Sequence, residues 1–283
     1  MLTGDQIRRW DEDGFFIVNG FVDQPACHAI SAETVAEIRA DPPAAHPGEP
    51  AYATAGGLFI QPEARPTDGA AKPEELVSKV FNPHLVGFAR DFAVSERAAA
   101  IVAELLGGDV DVFQSMFILK NRGAWGQPWH QDSHYFDFDP QPQVGLWLAL
   151  TEATRENGCL SVLPGSHKGA ILPHAPDRRP GANQGYLEVP GIDDARAVEV
   201  RMKPGDLLVF HSFLLHRSVD HVGGPAREAM VYHYARAGTV NRAPEHVQTI
   251  QRRINHWVPA WRTPPGEPAH AERTPAEMTH AAG

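Results

Sequence analysis

Two short stretches carry residue types that can hold a metal ion at an oxidising centre. The first is QPWHQDSHYF (127–136), where His130 and Asp132 stand two residues apart. Read as a strand over 129–135, both side chains point the same way and offer an imidazole and a carboxylate to one ion. The second is GDLLVFHSFLLHRS (205–218), where Gly205-Asp206 opens a strand and His211 and His216 follow. Either histidine could supply a second imidazole. Two histidines and one carboxylate on one face of a metal leave the opposite positions free for a cosubstrate and O2, the arrangement of non-haem Fe(II) oxygenases. Arg227 opens a further strand past His216. A guanidinium near such a triad is a bidentate, always-charged clamp for a carboxylate. His-x-Asp alone arises by chance in many chains; the second stretch and the arginine give it weight.

Composition narrows the chemistry. The 283 residues include 15 His and only 2 Cys, Cys27 and Cys159. Metal ligands here are therefore imidazole and carboxylate, which suit iron, manganese or zinc, and neither a disulfide framework nor a thiolate zinc site is available. Lys plus Arg is 25 and Asp plus Glu is 35, a net charge of −10, which argues against a nucleic-acid partner. With 42% hydrophobic and 21% charged residues the chain reads as an ordinary folded protein. It holds no apolar run of about 18 residues, so no membrane-spanning helix is expected. The start, MLTGDQIRRWDEDG, lacks the apolar stretch of a secretory signal, so the expected compartment is cytoplasmic. A small-molecule substrate is the expected partner, and no obligate protein partner is indicated.

The elements that must position these residues follow from caps, turns and periodicity. Thr3 and Gln6 form a capping-box pattern, predicting a helix over 3–13, ended by Gly14 and followed by a buried strand at 15–18. A second helix is predicted over 23–40, with Asp23 as cap and Pro25 in its first turn. Residues 41–76 read as a long irregular segment of the kind that forms lids or binding loops. A third helix over 95–106 stops at Gly107-Gly108. From Asp109 onward, short strands separated by Gly/Pro turns predict a sandwich or barrel, with strands at 144–151, 159–163, 197–202, 207–211 and 227–235. Val110, Val112, Gln114, Met116, Ile118 and Lys120 share one strand parity. If that face lines the barrel, Gln114 and Lys120 reach cosubstrate or substrate. His134, in phase with His130 and Asp132, and His233, in phase with Arg227, are candidates for the substrate side, together with Phe136. One domain is expected over 1–258, helical to 108 with a barrel core over 109–240. Residues 259–283, rich in Pro, Ala, His and Glu, are expected to be a poorly ordered tail.

The sequence resembles the phytanoyl-CoA dioxygenases, which are Fe(II)- and 2-oxoglutarate-dependent oxygenases. The matching residues are HQDSHYF (130–136), ENGCLSVLPGSHKG (156–169), and Gly205, Asp206, His216, Ser218 and Arg227. The resemblance is strong over about 110–235 and weaker over 1–109, where EDGFFIVNGFV (12–22) looks like the family's opening. It is absent over the last forty or so residues. It implies a mainly β fold with flanking helices, a double-stranded β-helix or jelly-roll barrel. It implies Fe(II) at His130, Asp132 and His216, because Ser218 and Arg227 stand at matching offsets from His216 and not from His211. It also implies 2-oxoglutarate held by Arg227 and Ser218, with Trp147 and Lys120 as neighbours. In related halogenases a small residue replaces the carboxylate, so Asp132 argues for oxygen chemistry. The implied reaction is hydroxylation of an unactivated C–H of a small organic molecule, consuming O2 and releasing succinate and CO2, with no catalytic residue beyond the metal ligands. The same centre could instead desaturate, epimerise or cyclise. A metal-binding jelly roll without oxygenase activity, or one using zinc for hydrolysis, would have no need of Arg227. An acyl-CoA substrate would call for basic residues such as Lys168, Arg178, Arg179, Arg252 and Arg253 against its phosphates. A composition rich in Ala, Pro and Arg fits a bacterial natural-product enzyme.

Overall fold

Caps and turns place the helices where their sequences ask for them. In the computed structural model, which describes residues 1–63, 69–179 and 186–264, Thr3 and Gln6 cap α1 (Gly4–Asp13) reciprocally, and Gly14 ends it in the left-handed conformation. Strand β1 (Phe15–Val18) follows. The Asp23 carboxylate accepts from the Ala26 N–H at the start of α2 (Gln24–Ala40). Next come β2 (Tyr52–Ala53), β3 (Phe59–Pro62), β4 (Val77–Phe81), α3 (Gly87–Ala93) and α4 (Glu96–Leu106). The β-rich part holds β5 (Val110–Lys120), β6 (Phe138–Asp139), β7 (Val144–Ala149), β8 (Leu160–Val162), β9 (Ala175–Pro176) and β10 (Leu187–Glu188). It continues with β11 (Val198–Val200), β12 (Leu207–His211), β13 (His216–Ser218), β14 (Arg227–Arg236) and β15 (Val240–Asn241). Helix α5 (Glu245–Gln251) and strand β16 (Val258–Trp261) end the described chain. None of the helices, among the described residues, is long and apolar enough to cross a membrane.

Two antiparallel sheets make the double-stranded β-helix. The larger runs β1-β12-β7-β14-β5-β4-β3-β2, with β16 also against β5; the smaller runs β11-β8-β13. Strand alternation divides the core in two. Trp147, Ala149, Leu208, Phe210, Ala229 and Val231 of the large sheet face Leu160, Val162 and Val200 of the small one inside the barrel. Their neighbours Leu146, Leu148, Leu207, Val209, Met230 and Tyr232 face outward and pack under Trp10, Ile30, Phe92 and Val102 of the helices. The large sheet is thus buried on both faces, which is why its strands are apolar at nearly every position.

Four expectations are corrected. The parity of β5 does not run unbroken: Val110 and Val112 pack under the helices, while Met116 and Ile118 face the barrel interior. The register with β14 shifts between His233 and Tyr234, leaving Phe113 as the extra residue of a β-bulge that turns the strand over. The segment expected to be irregular over 41–76 contributes β2 and β3, which pair onto β4 and widen the large sheet. The strand expected over 129–135 is a single bridge at His130 followed by a 3-10 turn over Asp132–His134. Finally, residues 258–261, most of them assigned to the tail, form β16 against Val110–Val112; residues 265–283 of that tail lie outside the described residues.

Gly205 is one position where only glycine fits. It has φ +91°, and a Cβ there would overlap the Val22 carbonyl oxygen, backbone that cannot swing aside. Gly205→Ala is expected to lower unfolding free energy by roughly 2–4 kcal/mol, the sum of left-handed strain and overpacking, measured by urea denaturation.

Candidate active site

Two backbone hydrogen bonds set the site. The His130 N–H donates to the His216 carbonyl at 2.9 Å, and the His216 N–H returns to the His130 carbonyl at 3.0 Å. This adds the 127–130 segment to the edge of the small sheet and brings the two imidazoles to 4.1 Å between ring centroids. Each ring is held by the same device. His130 Nδ1 lies 2.8 Å from the Pro128 carbonyl and His216 Nδ1 lies 3.0 Å from the Leu214 carbonyl. A carbonyl can only accept, so both Nδ1 atoms carry the proton and both Nε2 lone pairs are free to ligate. The 3-10 turn after His130 then swings Asp132 back. Its Oδ1 sits 3.5 Å from His130 Nε2 and 3.6 Å from His216 Nε2. The three buried ligand atoms lie within 4.8 Å of one another. Two imidazoles and one carboxylate match the donor set of a first-row divalent ion with open positions.

His233 completes the centre from β14. Its Nε2–H donates to Asp132 Oδ2 at 3.0 Å, which fixes the carboxylate so that Oδ1 alone faces the histidines. Phe113 and Phe136 pack around its ring, with centroids 6.0 and 5.2 Å away. Burial acts first on the Asp132 carboxyl and would push its pKa up. The surrounding imidazoles of His216, His130 and His233 overcome it, holding the Asp132 carboxyl well below the usual carboxylate range. Burial drives His216 down to about 4, reinforced by His130, so it is a neutral donor at physiological pH.

A second group of polar side chains lies inside the barrel where β14 and β5 pair. Arg227 is 1% exposed, and its Nε and Nη1 have no hydrogen-bond partner among the described residues. Its guanidinium stands 5.2 Å from the Trp147 ring centre. Directly across the strand pair is Lys120, whose Nζ donates to Ser218 Oγ at 2.9 Å and to the Val219 carbonyl at 2.5 Å. Among the described residues no salt bridge joins either cation to a carboxylate. Burial lowers Arg227 to about 10, and burial together with Arg227 pushes Lys120 well below its ordinary value. Two buried donors left unpaired cost about 1–3 kcal/mol each, a cost that a bound carboxylate would offset.

The sequence-derived residues therefore fall into groups. His130, Asp132 and His216 converge. Arg227, Lys120, Ser218 and Trp147 form the cationic end. Gln114 sits at the other end of the same strand pair, opposite His233. Phe136 is buried in the aromatic cluster with Phe113 and Phe138. His134 is exposed, its ring stacked 3.9 Å from that of His174. His211, the rival second histidine, instead accepts the Phe213 N–H and packs 5.4 Å from Trp10 under α1.

Sequence reasoning missed four neighbours. Lys79 on β4 is buried, in register with interior Ile118, 3.4 Å from Gln127 Oε1 and 4.7 Å from the Tyr186 ring centre. A lysine inside a short apolar run was its signal. Tyr135 lies beside His130, 6.1 Å between centroids. His174 accepts the Gln131 N–H at 3.0 Å, and Asn255 bonds Gln114; both sit in loops, where spacing carries no phase. Since His233 would reach a bound metal only through Asp132, His233→Leu is expected to weaken divalent-metal affinity about 10- to 100-fold without unfolding the protein, measured by chelator-competition titration alongside circular dichroism.

The comparisons with known proteins agree with this geometry. The family model for phytanoyl-CoA dioxygenase (PhyH) matches residues 10–229. The Arabidopsis thaliana phytanoyl-CoA dioxygenase is 33% identical over 186 residues, covering 62% of this chain and 64% of that protein. The peroxisomal enzyme of Rattus norvegicus is 27% identical over 243 residues, 83% of this chain and 68% of that protein. The chain thus spans a little under two thirds of the plant relative. Among solved structures, the non-haem monooxygenase ThoJ superposes with a TM-score of 0.62 at 25% identity, covering 84% of this chain and 80% of that one. The 2-oxoglutarate-dependent carbocyclase SnoK from nogalamycin biosynthesis has a TM-score of 0.64 at 17% identity, covering 93% of each chain, which shows the shared fold. With the family match running through both ligand-bearing segments and up to the start of β14, the chain belongs to the phytanoyl-CoA dioxygenase family.

Proposed function

We propose that this protein is an Fe(II)- and 2-oxoglutarate-dependent oxygenase that hydroxylates a C–H bond of a small organic substrate. The observation that carries the reading is the pairing, within one barrel, of the buried His130, Asp132 and His216 cluster with a buried, unpaired Arg227. His130, Asp132 and His216 would hold the iron, which supplies O2 activation coupled to oxidative decarboxylation of the keto acid. Arg227 would clamp the distal carboxylate, with Ser218 and Lys120 beside it and Trp147 bounding the guanidinium face. His233 holds Asp132 in one orientation, and Gln114 is a further polar contact for the keto acid. Tyr135, His134 and His174 stand on the open side of the site, where a substrate would approach. Barrel walls of Phe210, Val231 and Trp147 exclude water. The peroxisomal location of some relatives belongs to those proteins. Here the substrate is proposed only as a small molecule and the compartment as cytoplasmic.

Anaerobic addition of Fe(II) and 2-oxoglutarate is expected to give a visible charge-transfer band, and aerobic incubation is expected to release succinate. Arg227→Ala should raise the KM for 2-oxoglutarate by roughly 30-fold or more, the effect of removing one partner of a buried ion pair. Well-folded protein that shows no band, with keto-acid binding unaffected by Arg227→Ala, would sink the reading. Mass analysis of products from a metabolite library decides the outcome: gain of one oxygen supports hydroxylation. Loss of two hydrogens or inversion without mass change would redirect it to desaturation, cyclisation or epimerisation.

A further inference from the structure

The family match stops at residue 229, yet residues beyond it reach the site. The segment from α5 to Trp257 crosses the barrel end at which Asp132 and His233 lie. The His256 N–H donates to the Phe113 carbonyl at 2.7 Å, and four side-chain hydrogen bonds also fasten the segment. Gln251 Nε2 donates to the Tyr135 carbonyl at 2.8 Å, and Asn82 Nδ2 donates to the Arg253 carbonyl at 3.0 Å. The buried His84 bonds the His256 carbonyl through Nε2 at 2.7 Å. The fourth fastening reaches a residue that faces the barrel: Gln114 Nε2 donates to Asn255 Oδ1 at 2.6 Å. Gln114 is 3% exposed and stands opposite His233, the residue that holds the metal-binding carboxylate. Asn255 is itself fixed, its N–H donating to the Gln251 carbonyl at 2.7 Å. Its Nδ2 is buried and has no partner.

We propose that Asn255 is a positioning residue for the cosubstrate: it fixes the Gln114 amide in the orientation that contacts 2-oxoglutarate. This rests on the function proposed above. A glutamine has three rotatable side-chain bonds, and its terminal amide turns freely unless a neighbour holds it. The pairing with His233 sets the face from which Gln114 projects, but it does not set where the terminal amide points. Asn255 does so, by accepting one of the two amide hydrogens. The other hydrogen and Oε1 are then presented in one fixed direction. Because Asn255 belongs to a segment tied down at Tyr135, Asn82 and His84, keto-acid binding and closure of that segment are coupled. Arg252 and Arg253 are exposed within it and report its opening as tryptic sites.

The test uses full-length wild type, Asn255→Leu and Asn255→Asp. Leucine keeps the bulk and removes the acceptor; aspartate restores an acceptor. Titration of the anaerobic Fe(II) protein with 2-oxoglutarate, read at the charge-transfer band, is expected to give roughly 2- to 10-fold weaker affinity for Asn255→Leu, the worth of one neutral hydrogen bond. Iron affinity should be unchanged, and Asn255→Asp should return within about twofold of wild type. Mn(II) with 2-oxoglutarate should slow tryptic cleavage after Arg252 and Arg253 in wild type and not in Asn255→Leu. Unchanged keto-acid affinity in Asn255→Leu, or equal protection in both, overturns the proposal and leaves the oxygenase reading intact. Failure of Asn255→Asp to recover also overturns it, assigning Asn255 to packing alone. Absence of any band in wild type removes the oxygenase reading and this proposal with it.

Discussion

The backbone bridge between His130 and His216 is the interaction on which the site depends. The two histidines lie far apart in the chain, and nothing in either segment alone brings them together. Reciprocal N–H···O=C bonds at the edge of the small sheet fix the separation of the two Cα atoms as a property of the ladder. The side chains need only small local corrections, which the carbonyls of Pro128 and Leu214 supply. A ligand pair positioned by main chain loses little further entropy when it closes on a metal, because the rings are already oriented. Asp132 is placed differently. Its 3-10 turn is short and would tolerate several rotamers, so the carboxylate depends on His233 to present a single oxygen.

Charge inside the barrel is arranged to be incomplete. Asp132 carries the negative charge at one end, and Arg227 with Lys120 carries the positive charge at the other. An isolated buried ion is destabilising, and two like charges directly opposed across a strand pair are more so. Lys120 reduces the conflict by bonding only neutral oxygens, those of Ser218 and Val219. Arg227 has no such partner on Nε or Nη1 and leans on the Trp147 face instead. A barrel evolved for stability alone would place an aliphatic residue there. The retained guanidinium is intelligible as one half of an ion pair whose other half arrives with a dicarboxylate, and the complex is then more stable than the free protein.

How much of this was legible in the sequence follows from which forces act locally. Caps and turn residues act within a few positions, so α1, α2, α4, β1 and β12 were readable from Thr3, Asp23, Ser95, Gly14 and Pro204-Gly205. The convergence of His130, Asp132 and His216 was legible only through the family motif, because spacing left His211 and His216 both open and the strand invoked for His130 and Asp132 is a bridge and a turn. The bulge at Phe113 was not readable: a run of alternating residues gives no sign that one is unpaired, since that depends on the register chosen by β14. Lys79 was hidden because β4 (VSKVF) is short and directly follows the stretch over 41–76 that reads as irregular. It becomes an interior strand only when β3 and β5 flank it. The two loop contributors, His174 and Asn255, are placed by single hydrogen bonds to Gln131 and Gln114, which no periodicity encodes.

This division also explains why the reaction class is easier to read than the substrate. The His130–His216 bridge and the Arg227–Lys120 pair are built on ladders and strand faces, whose geometry the fold imposes. The loops beside them are the Asp132–His134 turn, the stretch around His174, and the segment after Pro244. Gln131, wholly buried between two ligands, anchors the second of these by bonding Ala170, Leu172 and His174 at once. Gln251 and Asn255 anchor the third. Structures with the same fold are described as a monooxygenase, an epimerase and a carbocyclase, so the barrel itself does not decide the outcome. The deciding geometry is the placement of a substrate carbon relative to the open metal positions, which the barrel strands alone do not set. Each of the side-chain hydrogen bonds that anchor the loops is individually weak, so exchanging one loop residue can retune the loops while the His130–His216 bridge keeps the two imidazoles where they are.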